Sequence, residues 1–178
     1  MKSVSHYPGR AAAIFLTGLG LVAAPALADA QRPNPASSWH FVRAANPRGG
    51  PDTLSMSHTA DTSRSDLDLA GLMLRCGRED KEPVIVIVVV TPFPPRARPD
   101  VVIAARGKEW PFSARVVPPG AELQLPAEAM SLAVGTWQAA GEIAVKVTSH
   151  DQQPFGGVIP IEGLAEALAT LTANCTAG

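Results

Sequence analysis

Apolar and polar residues alternate along much of the chain from residue 39 onward. In the clearest stretch, residues 142–148, Ile143, Val145 and Val147 share one face, while Glu142 and Lys146 point the other way. Because successive side chains of a strand point to opposite faces, this period of two predicts β-strands with one buried face. The other predicted strands are short and lie at residues 39–42, 54–58, 67–76, 84–90, 100–107, 109–117, 123–125 and 158–161.

The strand at residues 84–90 differs, because all seven of its residues are β-branched and apolar. A strand of this kind has two apolar faces and must be covered on both. We therefore expect a central strand, with the opposite sheet on one face and a helix on the other. The proline-rich residues that follow are expected to end the pairing.

Two local features refine the strands. The inward-facing positions change phase at Ala70-Gly71, which is the effect of a one-residue glycine bulge. Pro111 lacks a backbone donor, so the strand at 109–117 is predicted to lie at a sheet edge.

Two helices are predicted. Pro126 and Gly135 bracket residues 127–134, as proline and glycine commonly bracket a short helix. Near the end of the chain, leucines at positions 164, 168 and 171 form one apolar stripe at helical spacing.

These elements predict a mainly β fold: an antiparallel sandwich or partly open barrel, with the short helix and the C-terminal helix packed on it. Strands and helices do not alternate along the chain, so a parallel sheet is not expected. The two cysteines, Cys76 and Cys175, are most simply one disulfide in an oxidising compartment. Two buried thiols or a metal-binding pair are the alternatives.

The N-terminus has the layout of a secretory signal peptide. Lys2 and Arg10 precede an apolar stretch at 11–24, and small residues allow cleavage after Ala28 or Ala30. We therefore expect a signal peptide at 1–30, a flexible leader at 31–37 and one β-rich domain at 38–178. Periplasmic or secreted localisation follows.

The apolar stretch is too short to span a membrane, so no transmembrane span is expected in the mature protein. Without a cysteine near the cleavage site, a lipoprotein is not expected either.

Charge and composition exclude some partners. The 15 basic residues include Lys2 and Arg10, and the 16 acidic residues include Asp29. Removal of residues 1–30 leaves 13 basic and 15 acidic residues, a net charge near −2. This balance argues against nucleic acid as a partner. Aromatic residues are scarce, which argues against a sugar-binding surface.

Residues 55–66, SMSHTADTSRSD, concentrate the residue types of catalysis. A small hydrolase using Ser57, His58 and Asp61 is one hypothesis, although neighbours in sequence rarely converge as a catalytic set. His58 shares a face with apolar residues, which favours a hydrogen-bonded structural histidine. The sequence lacks paired-histidine zinc motifs and calcium-loop motifs, so no metal or other cofactor is expected.

Binding residues can be proposed at three places. PFPPRARP, residues 92–99, resembles a polyproline segment that could dock an aromatic groove. A stiff connection between two strands is favoured over that role, and its Arg96 and Arg98 are candidates for contact with a partner. His58 and Asp61 are weaker candidates for contact with a ligand. Trp137, just after Gly135, is a candidate for an exposed role in binding.

Two segments together resemble a known group. They are the strand LMLRC, residues 72–76, and the ending VIPIEGLAEALATLTANC, residues 158–175. They resemble small exported proteobacterial proteins of the type VI secretion accessory and invasion-associated-locus-B kind. The resemblance covers the chain from Cys76 onward and departs from that group in the proline-rich insertion and in having just two cysteines. It implies a β-rich periplasmic domain that works by interaction, and it supplies no catalytic residues.

The sequence thus favours an exported, non-catalytic domain that binds a protein or cell-envelope component. The hydrolase is the first alternative. A carrier of small apolar ligands, which requires an apolar cavity, is the second.

Overall fold

A computed structural model describes residues 38–45, 52–76, 82–149 and 152–175. The predicted signal peptide and leader lie outside these residues. The strands of the described part are β1 (His40–Ala44), β2 (Thr53–Thr59), β3 (Leu69–Cys76), β4 (Pro83–Val89), β5 (Asp100–Ala105), β6 (Lys108–Ser113), β7 (Arg115–Val117), β8 (Glu122–Gln124), β9 (Glu142–Ser149) and β10 (Gln152–Pro160). The helices are α1 (Ala127–Val134) and α2 (Leu164–Cys175), with a short 3₁₀ turn at Trp137–Ala139.

The strands form two antiparallel sheets. One has six strands in the order β1-β2-β3-β4-β8-β7, and the other has four in the order β10-β9-β5-β6. Neighbouring strands in each sheet are antiparallel. The prediction of a mainly β, antiparallel, two-sheet fold with two helices is confirmed, and the barrel is not closed.

One hydrophobic core joins the two sheets and both helices. On β4, Ile85, Ile87 and Val89 belong to this core. Leu168 and Leu171 of α2 belong to the same cluster, as do residues of the four-stranded sheet. The alternation of β9 is confirmed, because Ile143, Val145 and Val147 are buried while residues 142, 144 and 146 are exposed.

The central position of β4 is confirmed, but the expectation about its two faces is wrong. Helix α2 contacts β4, and Ile85 and Ile87 share one core cluster with leucines of α2 and with residues of the four-stranded sheet, so the helix and the second sheet lie on the same side of the six-stranded sheet. On the other face Val84 and Val88 are half-buried, and Val86 is buried outside the core cluster. Because every residue of this run is apolar, no polar position marked which face of the strand lies away from the core.

The glycine bulge is confirmed. The register of β3 against β4 shifts between Leu69 and Gly71, and after the shift Leu72, Leu74 and Cys76 are the residues that face the core. A Cβ atom on Gly71 would overlap the carbonyl oxygen of His58 on the neighbouring strand. Glycine is therefore required here by the close approach of β2.

Pro111 lies in an edge strand, as predicted, because β6 ends the four-stranded sheet. Arg106 and Gly107 link β5 to β6 with positive φ angles of 51° and 76°, the geometry of a two-residue type I′ hairpin. The predicted single strand at 109–117 is instead divided. The chain leaves one sheet after Ser113 and enters the other at Arg115, with Ala114 fully buried between them.

The predicted disulfide is present. Cys76, at the end of β3, is bonded to Cys175, the last residue of α2, with a Cα–Cα distance of 5.8 Å. That distance lies within the range usual for disulfides. The bond fastens α2 to the core face of the six-stranded sheet. None of the described helices has the length and hydropathy needed to span a membrane.

Candidate interaction site

The polar segment 61–66 lies along the outer edge of β10. The backbone amides of Asp61 and Asp66 donate to the carbonyl oxygens of Val158 and Gly156, each at 2.8 Å. The Asp66 carboxylate accepts from the Gly156 amide at 2.8 Å. The Ser65 hydroxyl contacts both the amide and the carbonyl oxygen of Val158. This segment, here called the latch, thus joins the β2–β3 connection to the four-stranded sheet.

Two glycines of β10 allow close approach of its neighbours, Gly157 to the latch and Gly156 to β9. A Cβ on Gly157 would overlap Ser65, and a Cβ on Gly156 would overlap the carbonyl oxygen of Val145. The paired glycines and Pro154 are typical of a loop, and a strand was predicted only at residues 158–161. Pairing with β9 overrides that local signal, and β10 begins at Gln152 rather than at residue 158.

A charge network centred on Arg64 holds the latch to β9. Arg64 donates from Nε to Asp61 at 2.6 Å and from both terminal nitrogens to Glu142. The amide and hydroxyl of Ser63 donate to the other Asp61 oxygen. Hydrogen bonds from Ser63 and then Arg64 lower the pKa of the Asp61 carboxyl from 3.8 to about 2. Glu142 first, and then Asp61, raise the pKa of the Arg64 guanidinium.

The Asp61 network predicts a specific dependence of stability on pH. Because the pKa of Asp61 is lower in the folded state, its ionised form stabilises that state above pH 3.8, and this contribution is lost as pH falls towards 2. Denaturant unfolding of the wild type and Asp61→Asn should show the wild type more stable above about pH 4. The difference should shrink below that pH and vanish near pH 2. A difference that stays constant across this range would contradict the network.

The residues proposed as a catalytic set are separated. Ser57 and His58 are neighbours on β2, and only His58 faces the core. His58 Nδ1 donates to the carbonyl oxygen of Thr59 at 3.0 Å, which leaves Nε2 to accept from the Ser38 hydroxyl at 2.9 Å. Asp61 is bound to Ser63 and Arg64 instead. The hydrolase geometry of Ser57, His58 and Asp61 is not formed.

His58 instead anchors the first described residues. Its side chain is 8% exposed, and its ring lies edge-on to Trp39, with centroids 5.3 Å apart. The Trp39 indole N–H in turn donates to the carbonyl oxygen of Glu162, just before α2. This arrangement matches the structural histidine that the sequence favoured.

The predicted exposed role of Trp137 is wrong. Trp137 is fully buried and lies edge-on to Trp110 and Phe112 of β6. Its indole nitrogen is the only buried side-chain nitrogen or oxygen atom of the described residues without a hydrogen-bond partner. Trp137 begins the short 3₁₀ turn that follows α1, and this turn directs its side chain into the core. The nearby Gly135 gave no indication of that direction.

The connection at residues 90–99 carries the two predicted contact arginines. Its Phe93 is buried, with an amide that donates to the carbonyl oxygen of Gly120 at 3.0 Å. Arg96 and Arg98 are exposed, and neither forms an ion pair or hydrogen bond with the described residues. The connection is thus anchored at its buried side, and its two cations have no partner within the part of the chain that the structure describes.

Two large apolar side chains lie exposed near the start of this connection. Val90 is 61% exposed and Leu67 is 90% exposed. The Val90 amide donates to the carbonyl oxygen of Asp68, next to Leu67, at 2.9 Å. Leu67 was predicted to lie inside a strand, but β3 begins only at Leu69. We call Leu67, Val90, Arg96 and Arg98 the docking surface.

An open groove of about 550 Å³ lies between the latch and β10. It is lined by Ser63, Arg64, Ser65, Asp66, Lys146 and residues 154–157. One lining residue, Phe155, belongs to the core, where its ring centroid lies 6.3 Å from that of Phe93. The sequence did not predict the groove, because its walls are distant along the chain.

The described residues contain no group of three or more His, Cys, Asp or Glu side chains arranged to hold a metal ion. No family model matches the chain, and no curated protein and no solved structure matches it either.

Proposed function

We propose that this chain is an exported, non-catalytic domain that binds a protein or cell-envelope component through the docking surface. The observation that carries the proposal is that one connection, residues 90–99, carries two exposed arginines and an exposed valine. Arg96 and Arg98 have no ion-pair partner among the described residues. Leu67 is also exposed, and the hydrogen bond from the Val90 amide to Asp68 brings its segment to the start of this connection. Arginine is enriched at interaction surfaces, where exposed apolar groups also occur.

The chemistry of this surface defines the partner. Two guanidinium groups favour carboxylates or other anions presented in a fixed geometry, because arginine can donate two parallel hydrogen bonds to such groups. The isobutyl and isopropyl groups of Leu67 and Val90 favour an apolar contact beside them. The partner is therefore expected to carry acidic groups next to apolar ones.

Export to the periplasm is part of the proposal. The signal-peptide layout of residues 1–30, with cleavage after Ala28 or Ala30, supports it, as does the Cys76–Cys175 bond, because disulfides persist in oxidising compartments. The resemblance to type VI secretion accessory and invasion-associated-locus-B proteins also supports export to the periplasm. Homology to those proteins stays a hypothesis.

The two alternative functions make different demands. A hydrolase centred on His58 needs a serine on one ring nitrogen and an acid on the other. Nε2 contacts the hydroxyl of Ser38 rather than that of Ser57, and Nδ1 contacts the Thr59 carbonyl oxygen instead of an acid. A carrier of small apolar ligands needs an apolar cavity, whereas the groove beside the latch is open and includes charged side chains in its lining.

Charge reversal tests the proposal. Arg96→Glu and Arg98→Glu should each lower recovery of a crosslinked partner from intact cells by about tenfold, since a favourable charged contact becomes a repulsive one. Lys108→Glu, at an exposed cation of β6 without an ion pair in the described part of the chain, is the matched control. It should leave recovery unchanged. Equal recovery from all three variants would contradict binding through this surface.

A further inference from the structure

Three of the four outer strands of the two sheets are protected. In β10, Gly156 and Val158 are hydrogen-bonded to the latch. In β6, Pro111 interrupts the row of donors, and β7 is only three residues long. Exposed strand edges invite pairing with another chain, and short strands, prolines and covering segments are common ways to prevent it.

The fourth outer strand, β1, has none of these protections among the described residues. All five of its residues are exposed, and none is proline. It forms the end of the six-stranded sheet. Phe41 is 45% exposed and Val42 is 49% exposed, and because they are neighbours on a strand, their side chains lie on opposite faces.

We propose that β1 pairs with β1 of a second copy of this chain, antiparallel about a two-fold axis at Val42. In this register Val42 faces Val42 of the second copy, Phe41 faces Arg43, and His40 faces Ala44. Cross-strand pairs of apolar residues stabilise antiparallel sheets, and a guanidinium over an aromatic ring adds a cation–π contact. No two residues of like charge face each other.

The composition of β1 favours a second copy as the occupant. A two-fold interface must be complementary to itself, and HFVRA meets this condition by placing its one arginine opposite its one phenylalanine. The Arg43 side chain is held by an ion pair with Asp52 at 2.8 Å, which orients it within the strand. The two six-stranded sheets would then join edge to edge.

The molecular mass of the purified exported protein in solution tests the dimer. Light scattering after size-exclusion chromatography should give twice the mass of one chain at high concentration. Val42→Lys places two lysines opposite each other and should raise the dissociation constant roughly tenfold or more. Val134→Lys, the same change at a 58% exposed valine of α1, should leave the dimer intact. A monomeric wild type, or equal dissociation constants for both variants, would overturn the proposal.

Oxidative crosslinking tests the register independently of stability. Val42→Cys should form a disulfide-linked dimer, because the two introduced cysteines face each other across the axis, while Val134→Cys should not. If the leader at 31–37 covers β1 instead, Val42→Cys will remain monomeric under oxidation, and the proposal is then wrong.

Discussion

Removing the Cys76–Cys175 disulfide should lower the free energy of unfolding by about 2–5 kcal/mol. The two cysteines are 99 positions apart in the sequence, and a cross-link of this length strongly restricts the unfolded chain. The loop-entropy estimate is about 4–5 kcal/mol, a large share of the roughly 5–15 kcal/mol that stabilises a typical domain. Cys76→Ala/Cys175→Ala, compared with the oxidised wild type by urea unfolding, measures the loss.

Two controls distinguish the stability lost with the disulfide bond from any effect of replacing the cysteine side chains. Reduction of the wild type should produce a similar loss, because it breaks the same link. Thiol counting on the non-reduced protein should find no free thiol. Equal stabilities of the double variant and the oxidised wild type would show that the bond contributes nothing.

Ile87→Ala should cost about 2–5 kcal/mol, the usual range for shortening a buried side chain to alanine. Ile87 is fully buried, and on the core side of the sheet it is flanked by Leu72 of β3 and Leu123 of β8. Truncation therefore leaves a cavity at the centre of the core.

The matched control for this truncation is Val90→Ala. Val90 follows the same strand but is 61% exposed, so its truncation should change stability by no more than about 0.5 kcal/mol. Urea unfolding of both variants provides the comparison. A similar cost for Ile87→Ala and Val90→Ala would contradict the assignment of the core face of β4.

Local sequence pattern predicted the elements that depend on local chemistry. The alternation of β9, the bulge at Gly71, the edge position of Pro111 and the leucine stripe of α2 were all predicted. Each depends on the period of apolar residues or on the backbone limits of one residue type. The disulfide was predicted as well, because only two cysteines are present.

The sequence did not show which strand or segment each element pairs with. The period of a strand defines its faces but leaves open which sheet it joins, so the change of sheet at Ala114 was missed. The latch was missed for the same reason. Ser65 and Asp66 bind residues about 90 positions away, and their polar chemistry suggested catalysis when read alone.

The candidate site was partly predicted. Arg96 and Arg98 were proposed from the polyproline-like segment that carries them; the structure shows that both are exposed, and their contact with a partner stays a prediction. Leu67 was predicted to lie in a strand because it alternates in phase with Leu69. The groove beside β10 could not be predicted, because it depends on contacts between distant segments. Leu67 and Val90 are exposed because β3 begins after Leu67 and β4 ends before Val90. The alternation of apolar and polar residues defines such strand ends only to within one or two residues.

The most direct measurement is photo-crosslinking in the periplasm with a photoreactive amino acid at Val90. We expect this position to capture a reproducible partner and the Arg96→Glu change to lower the yield in the same background. The same probe at Val134, an exposed valine outside the docking surface, should capture none of that partner. Equal capture from both positions, or no specific product from Val90, would contradict the proposal that this surface binds a partner.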